Sequence, residues 1–355
     1  GQLAVSDQVG EKLQGASHMG HKIGLESRVL YGQLGMVYDV RVSPDAKWVA
    51  TTAVGKDQGD NQIRVWSLRD SSRFAGFPVP DGLLHTLEFT ADSKHLIVGS
   101  GGAGDALAPG SVTIWDLETK QKLKTIEHGS CMFIRPVLNA KNDILAVLTG
   151  NLKYGHVRFY SFPECELLHE QEILDQRLSG IAFSQTEDTL VTSTAPGGVI
   201  QVLNARTGQE VDNFVAHGAG VFAVALNREG QLATANIDGT IGIWDLQTKT
   251  QVGELKGHSL YSVDVCFSPD GTRLLSSSED ETVKIWDLKS QSELLTFRDH
   301  RSPALGADWS ADGSTLATTA RDGSLIVREL IRNDDISEDT EWVTIFEDDF
   351  ERTEI

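Results

Sequence analysis

A histidine, a serine and an aspartate lie close together in the chain, at His258, Ser276 and Asp280. These residue types form the catalytic triads of many hydrolases, so the set must be considered as a reactive site. A second set of the same kind precedes it: His217, Thr234 and Asp238. A catalytic site would not be duplicated in this way, whereas buried polar groups that satisfy one another are a common structural device. The duplication therefore favours a structural role for both sets, and we expect no catalytic residue.

Two other patterns could bind small ligands. Residues Gly99–Gly104 form a glycine-rich string of the kind that cradles phosphates, but no Lys-Ser/Thr pair and no predicted helix follow it. His18 and His21 are near each other, but no third metal ligand is close in the sequence. We therefore expect a flexible surface loop at the first pattern, no metal site at the second, and no cofactor.

The cysteines and the hydropathy pattern bear on the cellular compartment. Cys131, Cys165 and Cys266 are far apart and form no C-x-x-C pair, which predicts free thiols in a reducing compartment. No run of 18 apolar residues exists, and no basic segment followed by an apolar stretch opens the chain. The sequence thus predicts no membrane insertion and no secretory signal. We expect a location in the cytoplasm, or in the nucleus of a eukaryotic cell.

The chain is strongly acidic, with a formal net charge of −20 over 355 residues. Residues 333–355 alone contain ten acidic side chains and one basic side chain, a net charge of −9. A surface of this sign repels phosphate backbones, so we expect no direct nucleic-acid binding.

A short apolar strand recurs along the chain, often ending in Trp-Asp, as in Val283–Asp287. Seven copies occur, and the fourth residue of each is Trp66, Trp115, Tyr160, Leu203, Trp244, Trp286 and Arg328. The spacings between these residues are 49, 45, 43, 41, 42 and 42. Strand patterns and tight turns such as Ser268–Gly271 precede each copy. The period predicts seven units of four strands with no helix between them.

These units resemble the WD-repeat β-propellers over about residues 25–330. The resemblance is carried by Gly257-His258 with Trp286-Asp287, and by Ala216-His217 with Trp244-Asp245. It implies an all-β, seven-bladed WD-repeat propeller with four antiparallel strands per blade. It also implies that a histidine, a hydroxyl, an aspartate and a tryptophan bond in series within a blade. The matching residues are His217, Thr234, Asp238 and Trp244, and His258, Ser276, Asp280 and Trp286. The third and fourth units lack most of this set, and we expect them to rely on packing alone.

A propeller must join its first and last blades, because open strand edges invite aggregation. Residues Glu26–Tyr31 align with the outer strands of other units, so we expect them to close the last blade. This gives an N-terminal tail at 1–24, the propeller at 25–330, and an acidic tail at 331–355.

The acidic tail contains an aromatic segment that fits either a helix or a strand. Trp342, Phe346 and Phe350 lie on one face of a helix, but Trp342–Phe346 also has the composition of a strand. Three interpretations remain open: an extra strand or short helix against the same propeller, a docking motif for a partner, and disorder.

In propellers of this type the loops that enter the innermost strands surround one end of the central channel, which we call the channel mouth. Aligning the units brings aromatic, apolar and basic residues to this face, and such surfaces often mark protein contacts. The candidate partner-binding residues are Tyr38, His85, Arg177, Phe222, Tyr261 and Leu305. We therefore expect a non-catalytic scaffold that binds other proteins in a multi-subunit complex. The alternative is a regulatory or sensor module of a larger multidomain enzyme or signalling protein.

Overall fold

The computed structural model describes residues 20–30, 35–55, 62–70, 72–78, 83–101, 109–151, 154–174, 177–331 and 341–346. Every regular element in these ranges is a β-strand. The chain divides into two compact units, one formed by Arg28–Val327 and the other by Gly1–Ser27 with Arg328–Ile355. In the part of the chain that is described, no helix is long and apolar enough to cross a membrane.

The strands follow one another at short intervals along the chain. The first fifteen are β1 (Gly20–Leu30), β2 (Gly35–Val42), β3 (Trp48–Gly55), β4 (Gln62–Ser67), β5 (Arg73–Pro78), β6 (Leu83–Phe89), β7 (His95–Gly101), β8 (Pro109–Asp116), β9 (Lys122–Ser130), β10 (Phe133–Leu138), β11 (Ile144–Gly150), β12 (Tyr154–Ser161), β13 (Leu167–Leu174), β14 (Leu178–Phe183) and β15 (Thr189–Thr194). The others are β16 (Val199–Asn204), β17 (Glu210–Val215), β18 (Val221–Leu226), β19 (Gln231–Asn236), β20 (Ile241–Asp245), β21 (Thr250–Leu255), β22 (Ser262–Phe267), β23 (Arg273–Ser278), β24 (Val283–Asp287), β25 (Ser292–Phe297), β26 (Ala304–Trp309), β27 (Thr315–Ala320), β28 (Leu325–Ile331) and β29 (Glu341–Phe346).

Consecutive strands pair in antiparallel sheets, which we number as blades. Blade 1 is β2–β5, and blades 2 to 6 follow in groups of four up to β25. The innermost strands β2, β6, β10, β14, β18, β22 and β26 contact one another in turn, and β26 contacts β2. The seven-bladed propeller with four antiparallel strands per blade is therefore confirmed.

Blade 7 is formed by both ends of the repeat region: β26, β27, β28 and β1 follow one another in the sheet, and β29 is a fifth strand beside β1. Leu30 of β1 is buried in one core cluster with Leu325 and Val327 of β28. The expected N-terminal strand therefore completes the last blade, which leaves no unpaired edge at the ring closure.

In the smaller unit the C-terminal strand β29 pairs with the first part of β1. Gly20–Leu25 of β1 pairs antiparallel with Glu341–Phe346 of β29, with Gly24 opposite Trp342. The aromatic C-terminal segment is thus a strand rather than a helix over these residues. Residues 1–19, which include His18, and residues 102–108, which include half of the glycine-rich string, lie outside the described residues, as do 332–340 and 347–355.

The hydrophobic core lies between neighbouring blades, because each sheet presents one side-chain row to each neighbour. Phe77 of blade 1 packs against Trp115 of blade 2 with ring centroids 5.2 Å apart. Trp286 of blade 6 is 1% exposed and packs in a cluster with Ala223 and Ala235 of blade 5. The tryptophan of the repeat is therefore an inter-blade core residue.

Candidate functional site

The histidine, serine and aspartate of blade 6 form a continuous hydrogen-bond chain with the tryptophan. Trp286 Nε1 donates to Ser276 Oγ (2.8 Å), Ser276 Oγ lies 2.7 Å from His258 Nε2, and His258 Nδ1 lies 3.0 Å from Asp280 Oδ2. The oxygen of Ser276 accepts a hydrogen bond from the indole of Trp286, so the Ser276 hydroxyl donates to Nε2 of His258. The Nδ1–H group of His258 then donates to the carboxylate of Asp280. Ser276 is 0% exposed, so no substrate can reach its hydroxyl. The geometry is that of a core network and not of an accessible triad.

The two ionisable groups of this hydrogen-bond chain, His258 and Asp280, have displaced pKa values. Burial lowers the pKa of His258, against the effect of Asp280, so the imidazole is held neutral. Burial would raise the pKa of Asp280, but hydrogen bonds from Thr282, Ser259 and His258 hold it at about 2. The aspartate is therefore a fixed anion that orients the histidine.

Blade 5 has the same four residue types but a different arrangement. His217 Nε2 lies 2.8 Å from Asp238 Oδ2, and Thr234 Oγ1 donates to the Gly242 carbonyl at 3.5 Å. Trp244 Nε1 has no hydrogen-bond partner among the residues that the structure describes. The structure thus brings His217 and Asp238 together, and it does not link all four residues in series.

A network that the sequence analysis missed joins blade 3 to the outer strand of blade 2, β9, which carries His128. Arg158 Nη1 lies 3.2 Å from His128 Nδ1 and donates to Thr149 Oγ1 at 3.1 Å, while Nη2 lies 2.7 Å from Glu170 Oε1. His128 is 5% exposed and its ring meets that of Tyr160 edge to face. The prediction that the third unit relies on packing alone is therefore wrong: an arginine links the histidine and the hydroxyl there.

We expect His128 to make folding sensitive to acid. Burial, and then the charge of Arg158, lower the pKa of His128 to about 4 from its usual 6.5. Below pH 6.5 the unfolded chain binds a proton that the folded chain does not, so this stabilisation is complete above pH 6.5 and is lost as the pH falls towards 4. Between pH 7 and pH 5 the loss from this residue is about 2 kcal/mol.

The measurement is urea unfolding of the wild type and of His128→Gln at pH 7 and pH 5. Half-buried Asp264 and Asp308 act in the opposite direction in this window, because partial desolvation raises the pKa of each to about 6. The prediction therefore concerns the difference in the free energy of unfolding between the wild type and His128→Gln, which should be about 2 kcal/mol smaller at pH 5 than at pH 7. If this difference is the same at both pH values, the prediction is wrong.

The channel mouth carries an exposed aromatic and apolar cluster between blades 5 and 6. Phe222 and Tyr261 have ring centroids 5.8 Å apart at an interplanar angle of 44°. Tyr261 is 48% exposed and the adjacent Leu260 is 52% exposed, while Phe222 is half-buried. We call Phe222, Leu260 and Tyr261 the mouth cluster. Leu260 was not among the predicted residues, although its position beside Tyr261 in the same loop could have indicated it.

The other predicted residues of this face differ in accessibility. Arg177 is exposed and Tyr38 is half-buried. Leu305 is only 8% exposed and is part of the core. The backbone of His85 lies in β6, but its side chain is outside the described residues. Among the candidates whose side chains the structure describes, Phe222 and Tyr261 are in direct contact.

A cavity of about 350 Å³ lies deeper in the channel. Its lining comes from the middle and the far ends of the innermost strands, and Tyr38, Phe222, Tyr261 and Leu305 are not part of it. Among the described residues, no group of three histidine, cysteine or acidic side chains could hold a metal ion.

The comparison with known families agrees with this architecture. The family described as "WD domain, G-beta repeat" matches residues 24–67, 208–245, 249–287 and 291–328. The first range covers the second part of β1 and strands β2 to β4 of blade 1. Each of the other three begins with the outer strand of one blade and ends in the third strand of the next, in blades 5, 6 and 7. Strands β5 to β16, which include blades 2 and 3 and the first three strands of blade 4, lie outside the four matches.

Several curated proteins are similar to this chain over part of their length. Eukaryotic translation initiation factor 3 subunit I of Bombyx mori is 24% identical over 56% of this chain and 60% of its own length. Periodic tryptophan protein 2 of Arabidopsis thaliana is 24% identical over 60% of this chain and 23% of its own. Protein transport protein SEC31 of Chaetomium globosum is 26% identical over 60% of this chain and 16% of its own length. The matches thus span less than two thirds of each relative. Together with the seven blades, the four matched repeats show that the chain is a WD40-repeat β-propeller.

Proposed function

We propose that the protein is a non-catalytic scaffold that binds partner proteins of a multi-subunit complex at its channel mouth. The mouth cluster is the observation that carries this proposal. Tyrosine and other large side chains contribute most of the binding energy at protein interfaces, and exposed groups of them mark contact sites. Leu305 is not part of the proposed surface, because it is buried.

The backbone that carries the mouth cluster is held in place before any partner arrives. Glu279 N donates to the Tyr261 carbonyl at 3.0 Å, and Ser278 Oγ donates to the Leu260 carbonyl at 3.3 Å. Phe222 lies within strand β18. Anchors on a fixed backbone lose little conformational freedom on binding, which favours affinity.

The relatives support a role in assemblies. One of them is named as a subunit of a translation initiation factor, and WD40 propellers generally act as interaction scaffolds. The net charge of −20 disfavours phosphate backbones as ligands. Cys131, Cys165 and Cys266 are free thiols, which supports a cytoplasmic or nuclear location as part of this proposal.

A second candidate function is that of a regulatory module within a longer protein. This candidate is favoured by two relatives of which the match covers only a small part: 23% of periodic tryptophan protein 2 and 16% of SEC31. Similar propellers therefore occur within much longer chains. The length of the transcript in the source organism would distinguish this candidate from a free-standing scaffold.

We predict that Phe222→Glu/Tyr261→Glu loses its partners in affinity purification from the native source. A charge placed at the centre of a contact without a partner costs about 2–5 kcal/mol of binding. A matched control is Val211→Glu/Val252→Glu, because Val211 and Val252 are 61% and 45% exposed on the outer strands β17 and β21. All proteins must first show the same unfolding transition.

The pattern of loss tests the proposal. Specific proteins that bind the wild type and the control, but not the mouth variant, would support it. Partners that stay on the mouth variant and leave the control would place the contact on the outer strands instead, and the channel-mouth proposal would be wrong.

A further inference from the structure

The histidine of blade 5 is turned differently from its counterpart in blade 6. In blade 6, Nε2 of His258 lies 2.7 Å from the hydroxyl of Ser276. In blade 5, the same ring nitrogen of His217 lies 2.8 Å from Oδ2 of Asp238 instead. We call the arrangement of blade 6 closed, because the histidine reaches the hydroxyl of the second strand, and the arrangement of blade 5 open.

The two arrangements differ in their exposure to water. The side chains of His258 and Asp280 are 0% and 7% exposed in the closed blade. The side chains of His217 and Asp238 are 21% and 47% exposed in the open blade. Water therefore solvates the histidine–aspartate pair of blade 5, whereas the pair of blade 6 belongs to the core.

Blade 7 shows that the closed arrangement does not depend on a tryptophan. His300 Nε2 lies 2.9 Å from Thr318 Oγ1, and both residues are buried, although Arg328 takes the place of the tryptophan there. A threonine can thus serve as the hydroxyl of a closed blade, and Thr234 of blade 5 is a threonine at the same position.

The aspartate of blade 5 is already placed as in a closed blade. Thr240 N and Oγ1 donate to Oδ1 of Asp238 at 3.0 and 2.7 Å. Thr282 N and Oγ1 hold Oδ1 of Asp280 in the same way, at 3.0 and 2.6 Å. The orientation of the imidazole is therefore what separates the open blade from the closed one.

The open arrangement leaves two buried polar groups poorly bonded. Trp244 is 8% exposed, and its Nε1 has no hydrogen-bond partner among the residues that the structure describes. Thr234 is 0% exposed, and its hydroxyl makes a contact of 3.5 Å to the Gly242 carbonyl, at the limit of a hydrogen bond. In a closed blade 5 the indole would donate to Thr234, and Thr234 would donate to His217. Closing would therefore satisfy groups that are costly to leave unpaired.

The loop that carries His217 leads into the mouth cluster. Ala219 N donates to His217 Nδ1 at 3.3 Å, so the open imidazole helps to hold this loop. The loop ends at β18, whose second residue is Phe222. Closing turns the imidazole away from Ala219, and the loop before Phe222 must then change its shape.

The loop that carries Asp238 also borders the mouth cluster. A Cβ at Gly239 would lie 2.5 Å from the carbonyl oxygen of Leu260, so the two backbones are in close contact. Ser262 Oγ donates to the Gly239 carbonyl at 3.1 Å and fixes this contact. A partner that sits on Leu260 therefore also covers the loop of Asp238.

We propose that blade 5 is a two-state element, open in the free protein and closed when a partner covers the mouth cluster. A partner removes the water that solvates His217 and Asp238 in the open state, while the closed state gives Thr234 and Trp244 their hydrogen bonds. The partner thus interacts differently with the two states, as any ligand that shifts an equilibrium must. This inference rests on the proposed function, because it requires a partner at the mouth cluster.

The free protein provides a test that needs no partner. Relaxation dispersion of ¹⁵N signals detects exchange on the μs–ms timescale, and we expect it at Trp244 Nε1 and at the imidazole of His217. The closed state should be a minor population of about 0.1–10%. Thr234→Val removes the hydroxyl that the closed state needs and should abolish this exchange. Thr318→Val, the matched control in blade 7, should leave it unchanged. Wild-type signals without exchange, or exchange that persists in Thr234→Val, would overturn the proposal.

The proteins that the wild type captures from the native source test the coupling to binding. Thr234 is 0% exposed and cannot touch a partner, yet Thr234→Val should capture them at least about fivefold more weakly. Thr318→Val should capture them like the wild type, with all proteins compared below their unfolding transitions. If Thr234→Val captures them as the wild type does, the coupling is wrong. The scaffold proposal is judged separately, by the loss of the same proteins from Phe222→Glu/Tyr261→Glu.

Discussion

Replacing Ser276 with alanine is expected to lower the free energy of unfolding by about 2–4 kcal/mol, because two buried groups would lose their partner. Trp286 Nε1 and His258 Nε2 both bond to this hydroxyl, and both residues are buried. Each unpaired group costs about 1–3 kcal/mol. The measurement is urea unfolding followed by circular dichroism and by fluorescence, with coincident transitions as the check on two-state behaviour.

Blade 5 supplies the matched control, because Thr234 occupies the equivalent position. Thr234→Val removes the same hydroxyl and keeps the shape, and Trp244 Nε1 has no bond to lose. The Thr234 hydroxyl makes only a 3.5 Å contact to the Gly242 carbonyl. We expect a change within about 1 kcal/mol. Equal losses in the two blades would mean that the hydrogen-bond chain of blade 6 adds nothing to stability.

Blades 5 and 6 differ in the hydrogen bonds of their motif residues, although they have the same residue types at these positions. The positions two before each tryptophan differ: blade 6 has Lys284, and blade 5 has Gly242. A Cβ at 242 would lie 2.6 Å from Trp244 Nε1 and 2.7 Å from Thr234 Oγ1. Both polar atoms therefore occupy the space in which a side chain would begin. The motif predicts which residues are near one another, and the neighbouring position decides whether they bond.

The architecture was predictable because its causes repeat along the chain. A strand such as Val283–Asp287 must bury its tryptophan against a neighbouring unit, and seven copies at one period leave a closed ring as the consistent solution. Likewise, Glu26–Tyr31 could be placed in the last blade because an open ring would leave a strand edge unpaired.

The channel cavity could not be predicted from spacing. Glu88 and Arg135 are on different blades, and Arg135 lies at the position where blade 1 has Asp39 and blade 6 has Asp264. No periodicity marks such a change of sign, because channel-lining positions do not contribute to the core that the repeat must preserve. Only the assembled ring shows that Glu88 and Arg135 line one cavity.

The network of blade 3 gives the second large effect. We expect Arg158→Met to lower the free energy of unfolding by about 2–3 kcal/mol at pH 7, because Thr149 Oγ1 and His128 Nδ1 lose a partner in the core. Arg206→Met is the matched control: its guanidinium pairs with Asp143 and Asp188, but its side chain is 43% exposed. Exposed pairs contribute about 0–1 kcal/mol, so the control should change little.

The pH dependence of Arg158→Met distinguishes this network from simple packing. The charge of Arg158 helps to lower the pKa of His128, so removing it moves that pKa back towards 6.5. The folded variant then binds the proton more readily, and it loses less stability than the wild type as the pH falls from 7 to 5. The destabilisation caused by Arg158→Met should therefore be smaller at pH 5 than at pH 7. If the destabilisation is the same at both pH values, Arg158 stabilises blade 3 by filling space and not through its contact with His128.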